Sequence, residues 1–327
     1  MKHFLVFLLL GFVGAATADD RNDDIVRALC NRSDQASGLK FDSPQPFVMK
    51  VKVEVRKTYA NPAIEGTVAF IDTGSFWRED LRFPDYGYSA ISDDKKTWTL
   101  RSTDVEPGLA TDALQLVNGS PSMRPFPNPV VRKKASAIQK KKHEKKSVTC
   151  VESAFNFETC FDDATGAAIS QSDDHAKWEY ADFKDFHGKL VPRSMEYIWE
   201  GKPLILATVI ALEDVVPDPK LFVVGQGYAE ETACNGQLTR PKLVHTVDPD
   251  FPARYRGRVY GTLMNSVKVR LAADGTVKDA VVIKTINSDF DAEALKAVRQ
   301  WKFEPWKCDG VPLSRDITVQ VNFNVPY

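Results

Sequence analysis

The sequence predicts an α+β protein in which a large, curved antiparallel sheet is followed by a small β-β-α-β domain. Three observations favour this class. Short segments that alternate apolar and polar residues, as half-buried strands do, follow one another closely between residues 47 and 212. Turn residues separate these segments. The last part of the chain changes to an order of strand, strand, helix and strand.

The length and net charge of the chain limit the classes of function that it could have. The 327 residues are enough for two domains, and 43% hydrophobic with 27% charged residues support an ordinary folded core. The formal net charge of −1 argues against a protein that binds nucleic acid through its phosphates. We therefore expect no nucleic-acid partner.

The first 18 residues have the pattern of a cleavable signal peptide. Lys2 and His3 precede the apolar run Phe4–Val13, and the small-residue motif Ala16-Thr17-Ala18 follows. The apolar run is shorter than the roughly 20 residues that span a bilayer. We expect export to an oxidising compartment, in which disulfides form. The alternative is an uncleaved N-terminal anchor.

Charge along the chain predicts two domains. Residues 132–146 carry eight Lys and Arg against one Glu, and residues 233–327 carry 14 Lys and Arg against 10 Asp and Glu. The intervening segment is acidic and ends near Thr232. We predict a β-rich domain over residues 19–232, with a basic insertion at 132–146, and a second domain over 233–327.

The strands of the first domain are predicted from alternation and from the turns between them. They are Phe47–Arg56, Ile64–Ile71, Phe76–Phe83, Tyr86–Ser92, Thr97–Arg101, Val148–Glu152, Phe155–Phe161, Ala168–Gln171, Ala176–Phe183, Val191–Trp199 and Leu204–Leu212. We expect two helices beside this sheet, one at Asp24–Cys30 and one around the basic run. The basic run could bind anionic lipid or cell-wall polymer. We interpret it as a solvated loop or exposed helix.

Several segments of the first domain resemble those of periplasmic lipoprotein carriers and sigma-factor regulators, in which a half-barrel sheet encloses an apolar cavity. The segments are Phe76-Trp77-Arg78, Phe83-Pro84, Lys96-Thr97-Trp98, Tyr180–Phe183, Gly188–Pro192 and Pro217–Pro219. The resemblance implies lipid or a lipoprotein as an alternative ligand. The other interpretation is a sheet whose concave face is filled by its own side chains.

The second domain begins with two strands and a helix. Val267–Leu271 alternates, and Val277–Thr285 is the return strand. Between them, Asp-Gly in Ala273–Thr276 predicts a type I′ hairpin turn. Ser288 and Asp291 fit a capping pair at the start of the helix.

The helix and the last strand predict the core of this domain. One helical face presents apolar residues, and the last strand alternates from Ile317 to Val325. The expected helix residues of the core are Phe290, Ala294, Leu295, Val298 and Trp301. The expected sheet residues of the core are Val269, Leu271, Val281, Ile283, Val319 and Val321.

Motifs of the second domain resemble the C-terminal domain of the TonB energy-transducer family over about residues 241–323. They are Asp248–Ala253, Gly261-Thr262, Asp274-Gly275, Phe290–Leu295, Val298–Pro305 and Asp309-Gly310. The resemblance implies a three-stranded sheet packed on a helix, which binds an extended peptide of an outer-membrane transporter or another envelope protein by strand addition. It also implies a periplasmic location in a Gram-negative envelope.

The resemblance places the peptide on the last strand, because the unpaired N–H and C=O groups of an edge strand can pair with an added strand. The implied binding edge is Ile317, Thr318, Val319, Gln320, Val321, Asn322 and Phe323. The loop residues implied to lie near the same partner are Pro249, Asp250, Phe251, Arg254, Arg256 and Arg258. The three arginines favour an acidic peptide.

Two features of the family are missing. A TonB transducer keeps a transmembrane anchor and a long Pro-rich spacer, whereas this chain has a signal-peptide pattern and a sheet domain in their place. We therefore expect strand binding without transmission of force from the inner membrane.

The five cysteines predict two disulfides. Cys150 and Cys160 flank a predicted hairpin, which places them opposite each other. Cys234 precedes the TonB-like domain and Cys308 lies in its Trp-Lys-Cys-Asp-Gly turn, so a second disulfide would tie the start of the domain to its helix–strand loop. We expect Cys30 to be buried as a small apolar residue.

The sequence contains no motif that indicates catalysis, a metal or a cofactor. None of the five histidines has the spacing of a metal site, and phosphate-binding, dinucleotide-binding and nucleophile-elbow motifs are missing. The acidic pairs Asp162-Asp163 and Asp173-Asp174 lie in turn-rich sequence. We predict a non-enzymatic periplasmic binding or adaptor protein. The alternatives are a lipid or lipoprotein carrier and a TonB transducer with an uncleaved anchor.

Overall fold

The structure is a computed structural model. It describes residues 18–39, 41, 45–56, 63–93, 95–103, 107–118, 135–143, 145–153, 157–231, 234, 236–258, 261, 263–284 and 286–324. Of the predicted signal peptide, only Ala18 lies inside these ranges, and the first helix begins there. Among the helices of the described ranges, none is both long enough and apolar enough to cross a membrane.

Strands dominate both domains. The elements of the first domain are α1 (Ala18–Ala36), β1 (Phe47–Val55), β2 (Ile64–Asp72), β3 (Trp77–Phe83), β4 (Tyr86–Ser92), β5 (Thr97–Arg101), α2 (Gly108–Asn118), β6 (Ala135–His143), β7 (Lys146–Ser153), β8 (Phe157–Asp162), β9 (Ala168–Ser172), β10 (Ala176–Phe186), β11 (Lys189–Trp199), β12 (Lys202–Asp214) and β13 (Ala229–Glu230). Those of the second are β14 (Leu238–Thr239), β15 (Lys242–His245), β16 (Leu263–Leu271), β17 (Val277–Lys284), α3 (Ser288–Val298), β18 (Lys302–Glu304), β19 (Trp306–Cys308), β20 (Val311–Leu313) and β21 (Arg315–Phe323). The predicted α+β class is confirmed.

The strands of the first domain form one 13-stranded antiparallel sheet in the order β13-β5-β4-β3-β2-β1-β12-β11-β10-β9-β8-β7-β6. The chain starts in the middle at β1 and moves outward to β5. It then crosses to the opposite edge at β6 and returns to β12, which pairs with β1. Alternation located these strands well, and β4 and β5 have the predicted bounds.

The crossover between β5 and β6 contains α2, which packs on the middle of the sheet. Its residues Ala110, Ala113, Leu116 and Val117 are buried. They belong to the main core of the domain, with side chains of β1, β11 and β12. The sheet residues that share this core include Val51, Val53, Val191, Met195, Ile205 and Ala207. The second helix of this domain is therefore α2, which precedes the basic run.

The basic run forms a strand, which corrects the prediction of a loop or helix there. Its described part, Ala135–His143, is β6 at the edge of the sheet, paired with β7. Lys141 forms an ion pair with Glu158, and Lys146 Nζ lies 3.5 Å from Asp162 Oδ2. Acidic side chains of neighbouring strands thus accommodate the lysines in the sheet. Lysines on an edge strand also hinder pairing with another chain.

α1 covers strands β7 to β9 and is longer than the predicted helix. Val26 and Cys30 on α1 are buried in one cluster with Val151 and Phe161 of the sheet. This burial agrees with the role predicted for Cys30 as a small apolar residue.

The segment between the domains is held along the first sheet. A short 3-10 helix at Pro219–Phe222 follows β12, and Arg78 Nη1 donates to the Leu221 carbonyl oxygen at 2.8 Å. Further on, the hydroxyls of Tyr228 and Ser89 are 2.8 Å apart, and β13 pairs with β5. These contacts carry the chain to the β5 edge of the sheet, just before the second domain.

In the second domain, β17, β16 and β21 form a sheet in that order, and α3 packs on one face. Asn287 caps α3, rather than the predicted Ser288. Its backbone is extended, and its side-chain oxygen accepts from the N–H of Asp289 at 3.0 Å. Asp291, predicted as the capping partner, instead accepts from Asn265 Nδ2 at 2.7 Å.

The core under α3 differs from the prediction on β17. The core contains the predicted helix residues other than Leu295, and it also contains Val269, Leu271 and Val321 of the sheet. Leu295 and Val319 are partly buried against it. Val281 and Ile283 are not part of this core. Val269 pairs with Ala280, and directly paired residues lie on the same face of a sheet. Ala280 therefore faces α3, and Val281 and Ile283 face the opposite side. Residues 280–283 are all apolar, so the sequence does not indicate which of them face the core.

The β16–β17 turn is not type I′, because that turn needs two residues with positive φ. Of its residues only Gly275 has a positive φ, at 83°. Asp274 Oδ1 accepts from the N–H of Thr276 at 2.9 Å, which closes a turn that needs one left-handed glycine only. Ala272 N–H donates to the Thr276 carbonyl oxygen at 2.9 Å across its base.

Both predicted disulfides are present. Cys150 and Cys160 are direct cross-strand partners on β7 and β8, with Cα atoms 4.0 Å apart. Cys234 and Cys308 have Cα atoms 5.6 Å apart, and the second disulfide joins the start of the domain to the end of β19.

Candidate functional site

The last strand, β21, is an edge of the second sheet. It pairs with β16 along its whole length, from Leu263 with Phe323 to Leu271 with Arg315. Within the described part of the chain, no strand pairs with its other side. One edge of β21 is therefore open to another strand.

The side chains of β21 alternate as the sequence predicted. Ile317, Val319, Val321 and Phe323 face the core under α3. The residues between them, Thr318, Gln320 and Asn322, are polar, uncharged and exposed. An added strand would thus meet neither a charge nor a proline on this stretch of the edge, both of which discourage pairing.

Aromatic rings join the predicted loop to this strand. Phe251 and Tyr255 place their rings 5.4 Å and 5.1 Å from the ring of Phe290 on α3. Phe290 in turn lies 4.8 Å from Phe323 at the end of β21. The loop is therefore packed beside the C-terminal end of the open edge. Sequence reasoning named Phe251 but missed Tyr255, whose spacing of four residues from Phe251 is the available signal.

The three arginines of this loop are not equivalent. Arg254 forms an ion pair with Asp289 and lies over the Tyr255 ring, with its Cζ 4.9 Å from the ring centroid. Arg256 and Arg258 are exposed, and neither pairs with a carboxylate among the described residues. Arg254 therefore helps to hold the loop, whereas Arg256 and Arg258 can attract an acidic partner.

Asp250 also ties the loop to α3. Its Oδ2 accepts from Lys296 Nζ at 2.7 Å, and this hydrogen bond lowers the pKa of Asp250 below its ordinary value. Pro249 beside it is half-buried. The structure thus brings the loop residues and the edge strand into one region, with Asp250 partnered inside the protein.

The alternative ligand site, the apolar face of the first sheet, lies under α2. Side chains in the middle of this face, such as Met195 and Ile205, are fully buried in one cluster with those of α2. An apolar ligand in this place would have to compete with α2.

The acidic pairs Asp162-Asp163 and Asp173-Asp174 lie at turns in the structure. Asp162 Oδ1 accepts from the N–H of Ala164 at 2.8 Å, and Asp173 Oδ1 accepts from the N–H of Ala176 at 2.7 Å. Asp163 accepts from the Thr149 hydroxyl at 2.6 Å. Turn capping of this kind is the usual structural role of Asp.

The cluster of Cys150, Glu158 and Cys160 has the spacing of a metal site. Its two sulfur atoms form a disulfide and so cannot act as thiolate ligands.

Residues 251–325 match the family model of the Gram-negative bacterial TonB protein C-terminal. Over 92 residues the chain is 36% identical to Protein TonB of Vibrio cholerae serotype O1, and this match covers 27% of the chain and 36% of that protein. The chain thus spans about a third of the length of this curated relative. The resemblance found in the second domain is confirmed.

Two solved structures resemble part of this chain. One is a LolA superfamily protein from Nitrosomonas europaea, with 8% identity and a TM-score of 0.41, covering 61% of this chain and 97% of that chain. Another is a domain assigned to the outer membrane lipoprotein-sorting proteins of Vibrio parahaemolyticus, with 9% identity and a TM-score of 0.38, covering 62% and 96%.

Proposed function

We propose that the protein is a non-enzymatic binding or adaptor protein of the Gram-negative periplasm, whose TonB-like domain binds an extended acidic peptide by strand addition to β21. The observation that carries this proposal is the open edge of β21 inside a domain that matches the TonB C-terminal family. The peptide belongs to an outer-membrane transporter or another envelope protein.

Backbone pairing supplies most of the affinity in this proposal. A strand added to β21 pairs its N–H and C=O groups with those of the edge, which needs few specific side chains. Thr318, Gln320 and Asn322 are uncharged and so accept varied neighbours.

Positive charge beside β21 favours an acidic peptide as the partner. Arg256 and Arg258 are exposed in the loop that packs next to Phe323. Residues 233–327 as a whole carry 14 Lys and Arg against 10 Asp and Glu. An acidic peptide is therefore attracted to this region, and its association weakens as salt screens the charges.

The periplasmic location agrees with the signal-peptide pattern and with two disulfides, which form in oxidising compartments. A transducer with an uncleaved anchor would keep residues 1–18. Mass spectrometry of the mature N-terminus distinguishes the two, since the proposal expects a chain that starts near Asp19.

A second candidate is a lipid or lipoprotein carrier that uses the first domain. The observation that favours it is the apolar face of the first sheet, which α2 covers over its middle and α1 covers over β7 to β9 in the described structure. Lipid that co-purifies with the native protein, detected by native mass spectrometry, would support this candidate.

Proline substitutions in β21 test strand addition. Consecutive residues of a strand point their N–H groups to opposite edges, so one of Val319 and Gln320 donates to β16 and the other to the open edge. Val319→Pro and Gln320→Pro are each titrated with a synthetic acidic peptide, with circular dichroism to verify folding. We expect the variant that loses the outward N–H to stay folded and to lose most of its peptide binding.

The matched controls are Gln320→Ala and Asn322→Ala, which remove side chains but keep the backbone donors. We expect both to bind the peptide about as well as the native protein. Full binding by both folded proline variants would refute strand addition at β21. Replacing Arg256 and Arg258 together by Ala should weaken binding at low salt, and Arg240→Ala, outside the loop, should weaken it much less.

A further inference from the structure

Helix α2 contacts both domains. One side of it is buried in the core of the first sheet through Ala113 and Leu116. Its beginning lies against the second domain, where it packs beside β17. The face of β17 that meets α2 is the face opposite α3, which explains why Val281 and Ile283 are absent from the core under α3.

Two close contacts define this junction. A Cβ atom added to Gly108 would lie 3.0 Å from Cγ2 of Ile283, so the helix start and β17 are in tight contact. Three residues further along, Thr111 Oγ1 accepts a hydrogen bond from Lys268 Nζ at 2.8 Å. The Lys268 side chain is only 15% exposed, so the charge on this central strand is largely covered.

Charged residues of both domains surround the junction. In the second domain, Arg270 Nε lies 2.5 Å from Asp316 Oδ1, and both side chains are at most 25% exposed. At the edge of the first sheet, Arg101 Nη1 donates to Glu231 Oε1 at 2.8 Å. The cluster contains a cation and an anion from each side of the junction. Arg270 attracts Glu231 and Arg101 attracts Asp316 across it, while Glu231 and Asp316 repel each other.

The carboxyl groups of Glu231 and Asp316 each respond to charges of the other domain. Burial opposes ionisation of Glu231, yet hydrogen bonds from Thr99 and Arg101 and the charges of Arg101 and Arg270 hold its pKa below its ordinary value. Burial raises the pKa of Asp316, although Arg270, Lys268 and Arg101 act to lower it. Arg270 thus influences Glu231, and Arg101 influences Asp316, across the domain boundary.

We propose that α2 couples the two domains: docking of the TonB-like domain on Gly108 and Thr111 holds α2 against the apolar face of the first sheet. Undocking the TonB-like domain loosens α2 and uncovers that face. Because equilibrium coupling between two sites is reciprocal, an apolar ligand that displaces α2 weakens domain docking by the same factor. The coupling depends on contacts in the chain itself and holds whether or not β21 binds a peptide.

A steric wedge at the junction tests this coupling in the full chain. Gly108→Leu places a side chain against Ile283, while Gly225→Leu is the control, since an added Cβ there meets nothing within 4 Å. Leu favours a helix more than Gly does, so helix propensity alone would slow the opening of α2. Hydrogen exchange of residues 108–118 is measured by mass spectrometry in both variants.

We expect Gly108→Leu to increase exchange in α2 about tenfold, as loss of one good contact would. Exchange in α1 should stay at the native rate, and Gly225→Leu should leave both helices unchanged. Binding of an apolar fluorescent dye should rise in Gly108→Leu only. Native exchange in α2 of the folded wedge variant would overturn the proposal, and so would equal acceleration in α1 and α2.

A second pair of variants covers the case in which the wedge variant does not fold. Thr111→Val and Lys268→Met each remove the hydrogen bond between the domains while keeping side-chain size. Each should accelerate exchange in α2. Lys268→Met also removes a charge 3.9 Å from Asp316 Oδ2, so the double variant should exchange no faster than Lys268→Met alone. Native exchange in both single variants would also overturn the proposal.

Discussion

Gly275 shows how one residue combines a turn with close packing. Its φ of 83° is unfavourable for residues with a side chain, and a Cβ there would lie 1.8 Å from the carbonyl oxygen of Phe303. We expect Gly275→Ala to lower the free energy of unfolding by about 2–5 kcal/mol, from the backbone conformation and the clash together.

Gly310 is a matched control, because it has the same φ of 83° but nothing within 4 Å of an added Cβ. Gly310→Ala should cost only about 1–2 kcal/mol. Denaturant unfolding measures both variants, and equal losses would show that the contact with Phe303 is unimportant.

Single residues were predictable from the sequence where local chemistry decides their role. The cysteine pairs followed from hairpin and turn positions, and the exposed face of β21 followed from alternation. The partner of Arg254 could not be predicted, because Asp289 is distant in sequence and reaches it only after α3 packs. The same holds for Asp250 and Lys296.

At the scale of elements, the contact of α3 with its sheet depends on Trp301. Trp301 is 7% exposed, and its Nε1 donates to the Val247 carbonyl oxygen at 2.9 Å. We expect Trp301→Ala to cost about 3–5 kcal/mol and to melt the second domain at lower temperature, while the first domain keeps its own transition. Scanning calorimetry measures both transitions.

Trp199 serves as the control for this substitution, since it lies on β11 and is 40% exposed. Trp199→Ala should cost much less and should affect the first domain only. If Trp301→Ala left the transition of the second domain in place, the packing of α3 on its sheet would be wrong.

Elements could be predicted from the sequence where one face is buried and the other is exposed to solvent. The regular strands of the first sheet alternate for this reason, as in β1. Prediction failed for β6, whose strand form comes from neighbours such as Glu158 rather than from its own pattern. The bounds of β17 were predicted, but its core-facing residues were not, because α3 contacts one face and α2 the other, so Ala280–Ile283 is apolar throughout.

At the scale of the whole molecule, the two disulfides stabilise different domains by different amounts. Their sequence separations are 10 for Cys150–Cys160 and 74 for Cys234–Cys308. Because a longer loop loses more entropy when it is closed in the unfolded chain, replacing the second pair by Ser should cost about 4 kcal/mol and the first about 3. Calorimetry should show the loss from replacing Cys150 and Cys160 in the first domain, and the loss from replacing Cys234 and Cys308 in the TonB-like domain.

The topology of the whole chain could not be predicted from the sequence. Strand predictions do not show that the chain starts at the centre of the sheet or that β12 returns to pair with β1. The docking of the second domain depends on contacts between distant residues, such as Thr111 with Lys268. Both features join residues that are far apart in the sequence.

The central claim is that β21 receives an added strand, and backbone NMR of the deuterated full chain tests it most directly. A synthetic acidic peptide of about ten residues, long enough to follow β21, is titrated into the protein. We predict that the largest amide shifts and new protection from solvent exchange occur at Ile317–Phe323, with smaller shifts at Arg256 and Arg258. Saturable binding with the amides of β21 unchanged, and shifts confined to the first sheet or to β6, would contradict the claim.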